Sequence, residues 1–239
     1  MPRAIVIGGT AGIGQSIIKG LIDAGYSVHF TYNSNADSAD AICRQYGDSC
    51  TCAQLNLSSL DAVSAFLATV DSANAPDVLV NTAGMAADAL SLGDVRARLE
   101  QATTINYLAP ATIASHIGKL MTERRTGSIV NITSIASKRP KAGNAIYGSA
   151  KAALERFTAT LALELARFKV RTLCVSPGFV DTPMFQKFSG GNARDIIRDI
   201  PTREILTADQ VADTVLLFVK GYIKSTGTTL VLGNGELVF

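Results

Sequence analysis

Apolar residues along the chain follow two kinds of pattern. Short, nearly unbroken apolar runs occur at Ala4–Ile7, Val28–Tyr32, Thr51–Leu55, Val78–Val80, Ser128–Ile132, Val170–Val175 and Thr228–Leu232. Runs this short and uniformly apolar predict strands covered on both faces. Elsewhere the apolar positions recur at helical spacing. Gln15–Ala24 places Ile17, Ile18, Leu21 and Ile22 on one face, and Gly25 can end that helix. Ala150–Phe168 places Leu154, Phe157, Leu161 and Leu165 at the same spacing, and Thr207 can cap a helix running to Val219 through Val211, Val215 and Leu216.

Strands alternating with helices predict an α/β protein with one mostly parallel sheet and helices on both faces. Right-handed crossovers then restrict it to a doubly wound, Rossmann-type topology. No repeat, linker or low-complexity tract divides the chain, so a single domain over 1–239 is expected. One long stretch, Gly178–Thr207, reads as irregular and contains Gly190, Gly191 and Pro201. Ligands in such sheets sit at the carboxyl ends of strands, so Met184–Arg203 is a candidate substrate lid.

Composition narrows the class. The chain has 239 residues, 47% hydrophobic and 18% charged, which suits a globular domain and argues against disorder. A formal net charge of +2 and the lack of a Lys/Arg run argue against a nucleic-acid partner. The first apolar run is broken at Gly8 and is too short for a secretory signal core. No run of about 18 apolar residues predicts a membrane span. A cytoplasmic protein is therefore expected. Cys43, Cys50, Cys52 and Cys174, with only His29 and His116 to assist, do not match zinc-site spacing. Reduced structural thiols and no metal are expected.

Candidate chemistry begins directly after the first strand. Gly8-Gly9-Thr10-Ala11-Gly12-Ile13-Gly14 joins it to the first helix. Glycines there let backbone N–H groups approach a pyrophosphate at a helix N-terminus. The spacing differs from the Gly-x-Gly-x2-Gly fingerprint, but the strand–loop–helix context fits a dinucleotide site. After the second strand stands Tyr32-Asn33-Ser34-Asn35, without the acidic residue that would hold the ribose hydroxyls of NAD. A 2′-phosphate is not repelled there, and Asn33 and Ser34 can donate to it, so NADP(H) is preferred over NAD(H).

Tyr147-Gly148-Ser149-Ala150-Lys151 puts a phenol and an ammonium about one helical turn apart. A tyrosine ordinarily titrates near ~10, and a neighbouring ammonium favours its phenolate. That prepares Tyr147 for general acid–base work near neutral pH. Ser134 lies just beyond the predicted strand Ser128–Ile132, where a hydroxyl can bond a substrate carbonyl.

Together these residues resemble the short-chain dehydrogenase/reductase family over essentially the whole chain from Ile5 onward. The glycine loop matches at Gly8, Gly12, Ile13 and Gly14, with Thr10 and Ala11 between. Asn81-Thr82-Ala83-Gly84 matches the family's Asn-Asn-Ala-Gly motif, and Pro177-Gly178 its Pro-Gly motif. The resemblance implies Tyr147 as proton donor, Ser134 as carbonyl-orienting group and Lys151 on the nicotinamide ribose. It implies Asn106 as support for a water that links Lys151 to solvent. It implies Val180 and Thr182 at the carboxamide, Asn56 and Leu57 at the adenine, and Asn81, Ala83 and Gly84 among the cofactor contacts. Departures are Ile7 for the usual Thr, Thr82 for the second Asn, Ser137 for a common Gly, and Gly233-Asn234-Gly235 for Gly-Gly.

Within the family the chain is most similar to 3-oxoacyl-[acyl-carrier-protein] reductases, notably in Ile200-Pro201 and Ser225–Leu230. That similarity implies an NADPH-dependent ketoreductase of a 3-oxoacyl thioester, as in fatty acid or polyketide biosynthesis. It also implies a homotetramer and carrier-protein docking near Arg125, Arg167 and Lys169. Alternatives are a dehydrogenase of a small alcohol, sugar or steroid, and a non-catalytic NADP-binding sensor or scaffold.

Overall fold

The structure, a computed structural model, describes residues 1–10, 12–87 and 89–237. Seven strands form one sheet: β1 Arg3–Ile7, β2 Ser27–Tyr32, β3 Cys50–Gln54, β4 Val78–Asn81, β5 Gly127–Ile132, β6 Val170–Pro177 and β7 Thr228–Leu232. Their spatial order is β3-β2-β1-β4-β5-β6-β7, and every pairing is parallel. The order reverses between β1 and β4, where Ile7 faces Asn81 across the pair. That reversal opens a crevice at the carboxyl edge of the sheet.

The helices are α1 Ile13–Asp23, α2 Ala36–Tyr46, α3 Leu60–Leu67, α4 Arg96–Thr103, α5 Ala109–Arg124, α6 Ala145–Ala166, α7 Pro183–Ser189, α8 Ala193–Asp199 and α9 Ala208–Val219. The central strands are buried over most of their length because helices cover both faces. Ala4 and Val6 of β1 meet Ile17, Ile18 and Leu21 of α1 and Val211, Val215 and Phe218 of α9 in one buried cluster. Ile5 and Ile7, the alternate residues of the same strand, join Val63 of α3, Ile113 and Ile117 of α5, and Leu161 and Leu165 of α6 in the other. A one-residue register slip would exchange these two sets, so both cores fix the pairing.

The strands and longer helices lie close to their predicted positions, with two informative differences. The run predicted as Thr51–Leu55 is strand from Cys50 to Gln54 and is only partly covered, because β3 is a sheet edge. The helix predicted over Ala150–Phe168 begins earlier, at Ala145, so Tyr147 and Lys151 both lie within α6.

The stretch after β6, expected to be irregular, is instead ordered into α7 and α8. Thr182 caps α7 by accepting from the Phe185 amide at 3.3 Å, and Pro183 stands at its first position. Seven-residue helices show too little periodicity to be read from apolar spacing. The excursion is closed at its base by a bridge between Val180 and Leu206.

Candidate functional site

A cleft of about 900 Å³ opens along the carboxyl edge of the sheet. Its first wall is the turn from β1 into α1. Gly12 precedes α1 and gives it no side-chain cap, and no acidic residue stands in the first turn. The free N–H groups of that turn therefore suit an anion such as a pyrophosphate. Close packing shapes the turn: a Cβ at Gly14 would lie 2.1 Å from the Gly8 carbonyl oxygen. Gly8, Thr10, Gly12, Ile13 and Gly14 all line the cleft, whereas the expected Ala11 lies outside the described residues.

Tyr32, the last residue of β2, and Asn33 after it also line the cleft, as do Asn56 and Leu57, after β3. Ser34 is exposed and is not among the lining residues. Asn35 caps α2 by accepting from the Ser38 amide at 3.1 Å, and Asp37 stands in that helix's first turn. No Lys or Arg from this turn lines the cleft. The dimensions of the cleft, the uncapped α1 terminus and the close backbone approach at Gly14 together fit a dinucleotide.

The second wall carries the ionisable groups. Ser134 follows β5, with its hydroxyl accepting from the Ala136 amide at 3.2 Å. Tyr147 is half-buried on the first turns of α6. Lys151, one turn further on, is buried and donates from Nζ to the Ile132 carbonyl at 3.0 Å. Burial pushes its ammonium down to about 8, against an upward pull from the Cys174 thiol and the Glu155 carboxylate. Ser134, Tyr147 and Lys151 line the same cleft as the glycine turn. Ala83, Gly84, Pro177, Gly178, Val180 and Thr182 line it too.

Two expected residues stand back from it. Asn81 is buried, and its Nδ2 donates to Asn131 Oδ1 at 2.6 Å and to the Pro110 carbonyl at 3.4 Å. Asn106 lies in a π-helical turn, Thr104–Leu108, between α4 and α5. Its Oδ1 accepts from the Met85 amide at 3.0 Å, and its Nδ2 donates to the Met85 carbonyl at 2.9 Å. It thus fastens the loop after β4. A side chain at Gly84 would start 3.1 Å from Asn106 Oδ1 and 3.3 Å from Lys151 Nζ, so the glycine lets both groups converge there. Inserted π turns of this kind recur at functional sites.

The far end of the cleft holds Phe185 and Phe188, from the stretch expected to shape the substrate site, together with Phe179, Lys141 and Glu236, which sequence reasoning missed. Phe179 meets Phe185 and Phe188 with ring centres 5.4 and 5.5 Å apart, giving an aromatic floor. Lys141 Nζ lies 4.9 Å from the Phe188 ring centre. Glu236, from the C-terminal tail, pairs with Arg139 at 2.8 Å while its own side chain is 2% exposed. Apolar spacing carries no sign of these contacts.

Arg125 and Arg167 come together, and Lys169 follows them in the chain. Arg125 donates to the Arg167 carbonyl at 3.0 Å, and both guanidinium groups lie near the Phe168 ring. The patch precedes β5 and β6, on the opposite edge of the sheet from the cleft. Arg124 turns away to pair with Asp77. Cys43, Cys50, Cys52 and Cys174 are free thiols, and burial pushes Cys50 and Cys52 up to about 11. Among the described residues no cluster of His, Cys, Asp or Glu could hold a metal ion, and no helix is long and apolar enough to cross a membrane.

Comparison with known proteins agrees with this architecture. The profile of the short chain dehydrogenase family matches residues 2–192. A 3-oxoacyl-[acyl-carrier-protein] reductase of Synechocystis sp. is 32% identical over 247 aligned positions, covering 99% of this chain and 97% of the relative. A crystal structure described as a putative betaketoacyl-ACP reductase superposes with a TM-score of 0.88 at 31% identity, covering 98% of this chain and 97% of the other. A variant of the actinorhodin polyketide ketoreductase, solved with NADPH, superposes with a TM-score of 0.90 at 26% identity, covering 99% and 98%.

Proposed function

The chain belongs to the short-chain dehydrogenase family, an oxidoreductase acting on CH–OH and C=O groups, and from that premise we propose that it is an NADPH-dependent ketoreductase. One observation carries the proposal. The uncapped α1 turn, the Ser134 hydroxyl, the Tyr147 phenol and the Lys151 ammonium all face one cleft at the sheet's switch point.

The residues divide the work by position. The N–H groups after Gly12 hold the pyrophosphate, and Asn56 and Leu57 flank the adenine. Asn33 donates to a 2′-phosphate. With α2 already capped and Asp37 nearby, that phosphate is held by neutral donors, which makes the preference for NADPH modest. Val180 and Thr182 bond the carboxamide, and Lys151 bonds the nicotinamide ribose. When bound, NADPH supplies the hydride.

Ser134 orients the substrate carbonyl by donating to its oxygen. Tyr147 then donates its phenolic proton to that same oxygen as negative charge develops there. Lys151 makes this donation easier, because a cation beside the phenol stabilises the phenolate left behind. Asn106 braces the loop beside Lys151, and a water held there can return a proton.

The aromatic floor of Phe179, Phe185 and Phe188 supports an apolar acyl or polyketide chain as substrate. Resemblance to the carrier-dependent reductases supports a 3-oxoacyl thioester. The Arg125–Arg167–Lys169 patch lies a strand length from the cleft, so a carrier docked there would not sit over the mouth of the same chain. The substrate reading therefore rests on the cleft.

The deciding assay follows NADPH oxidation against a carbonyl panel that includes acetoacetyl thioesters and carrier-bound 3-oxoacyl chains, with NADH in parallel. Turnover of the thioesters, with a higher kcat/KM for NADPH than for NADH, is the expected result. NADPH binding without turnover of any carbonyl would make the protein a sensor instead.

A further inference from the structure

We propose that Glu155 is a positioning residue, whose carboxylate clamps the segment carrying Ser134 onto the helix carrying Tyr147 and Lys151. The inference rests on the roles proposed above for Ser134 and Tyr147.

Three side chains form a stripe along α6. Tyr147, Lys151 and Glu155 are spaced by four residues, about one turn each, so they share a face. The first two point to the cleft. Glu155, with a side chain only 12% exposed, faces the loop that follows β5.

Its oxygens are engaged from both sides of Ser134. Thr133, immediately before it, donates from Oγ1 to Glu155 Oε1 at 2.8 Å. Ser137 donates to the same oxygen at 2.8 Å, and its hydroxyl also lies 2.7 Å from the Ser134 carbonyl. Lys138 pairs with Oε2. A carboxylate accepts at two oxygens and offers about four sites, so one group can hold all three donors at once. Ser137 stands where the family commonly has glycine, and its hydroxyl is one of the three donors.

The clamp fixes a relationship, not merely a fold. Ser134 rides on the loop and Tyr147 on the helix, and their two hydroxyls must meet at one carbonyl oxygen. Misplacement by about 1 Å at such a point can slow turnover by about 100-fold. The hydroxyl donors have fallback acceptors. Thr133 Oγ1 lies 3.3 Å from the Val175 carbonyl, and Ser137 retains the Ser134 carbonyl. Removing Glu155 therefore loosens the loop against the helix without stranding those two hydroxyls.

The titratable groups around Lys151 are Glu155 on its own helix and, on facing elements, the Cys174 thiol of β6, with Lys138 beyond Glu155. Glu155 thus also pulls the Lys151 ammonium upward.

The test is a double-mutant cycle. Glu155→Leu in the full-length protein is expected to lower kcat about 10- to 100-fold. The Kd for NADPH, measured by fluorescence titration, should stay within about twofold. In a Ser134→Ala background the same change should cost several-fold less than in the parent, because there is no longer a hydroxyl to place and only the lost pull on Lys151 remains. Glu155→Gln, which keeps an acceptor for Thr133 and Ser137, should retain most of the activity. Independent, multiplying losses would overturn the clamp and leave the Ser134 assignment standing. Wild-type turnover by Ser134→Ala would remove that assignment and the clamp with it. If Glu155→Leu does not fold, Glu155→Ala combined with Lys138→Met leaves neither a lone charge nor an acceptor for Thr133 and Ser137, and the same cycle run with that pair separates the same two outcomes.

Discussion

Lys151 holds its ammonium 5.8 Å from the centre of the Tyr147 ring, one helical turn along α6. The amine is fixed from the other side by the Ile132 carbonyl at 3.0 Å, so it cannot swing away into solvent. The pair is therefore a rigid phenol–cation unit set into the wall of the cleft.

Removing the phenolic oxygen should abolish proton donation while leaving the binding surface intact. Tyr147→Phe is expected to reduce kcat by at least about 1,000-fold, with NADPH affinity unchanged to within about threefold. Stopped-flow NADPH oxidation and a binding titration measure the two quantities separately. Turnover within tenfold of the parent would remove Tyr147 from its proposed role.

Burying Lys151 makes a prediction about stability. Its ammonium titrates at about 8 in the fold, against 10.5 ordinarily. The folded-state value is the lower one, so between these limits the unfolded chain binds more protons and stability rises with pH. Below about pH 8 both states carry the proton, and the fold bears the full desolvation penalty. Lys151→Met should thus be more stable than the parent at pH 7 by about 1–3 kcal/mol, after subtracting the lost Ile132 bond. The advantage should shrink as pH climbs toward 10.5. Urea melts of the cofactor-free protein at several pH values test the sign. A variant less stable than the parent at pH 7 would contradict it.

These two groups were legible because their chemistry depends on spacing along a single helix. Tyr147 and Lys151 are separated by four residues, and any helix brings them together. The seven strands were legible for a related reason. Val6 and Ile7 of β1 are both buried under different helices, which writes burial on both faces directly into the residue pattern. The segment after β6 was harder to read, because α7 is set by the Thr182–Pro183 capping pair and not by periodicity. Glu236 could not be read at all. Its partner Arg139 is 97 residues away, and only the closing of the tail over β6 brings them together. Asn81 was read as a cofactor contact through its motif, but the fold uses its side chain to bond Asn131 beneath the cleft.

The glycine turn permits no added carbon at Gly14. A Cβ there would stand 2.1 Å from the carbonyl oxygen of Gly8, a backbone atom that cannot rotate aside. Gly14→Ala must push the β1 end away from α1, at a destabilisation of about 1–3 kcal/mol. Because the displaced amides are those proposed to hold the pyrophosphate, NADPH affinity should fall at least about tenfold. Thermal melting and cofactor titration check both parts. Normal NADPH binding by this variant would show that the turn is not where the pyrophosphate lies.

The Arg139–Glu236 pair ties the C-terminal tail to the loop beyond Ser134, and the two partners are unequally buried. Glu236 is 2% exposed at its side chain, whereas Arg139 is 48% exposed. Burial pushes the Glu236 carboxyl up, while the Arg139 guanidinium and the Phe179 amide pull it down. Arg139→Met leaves a sequestered carboxylate without its cation, which should destabilise the fold by about 1–3 kcal/mol near neutral pH. A carboxyl whose folded-state value is raised takes up its proton first as pH falls, so the variant loses that penalty on acidification. Arg139→Met should therefore differ less from the parent at pH 4.5 than at pH 7.5, and Glu236→Gln added to it should restore much of the loss. Urea melts of the parent, the single variants and the double variant at the two pH values decide the matter. An equal deficit at both would mean that Arg139 contributes through packing of its aliphatic stem, with the ion pair contributing nothing to stability.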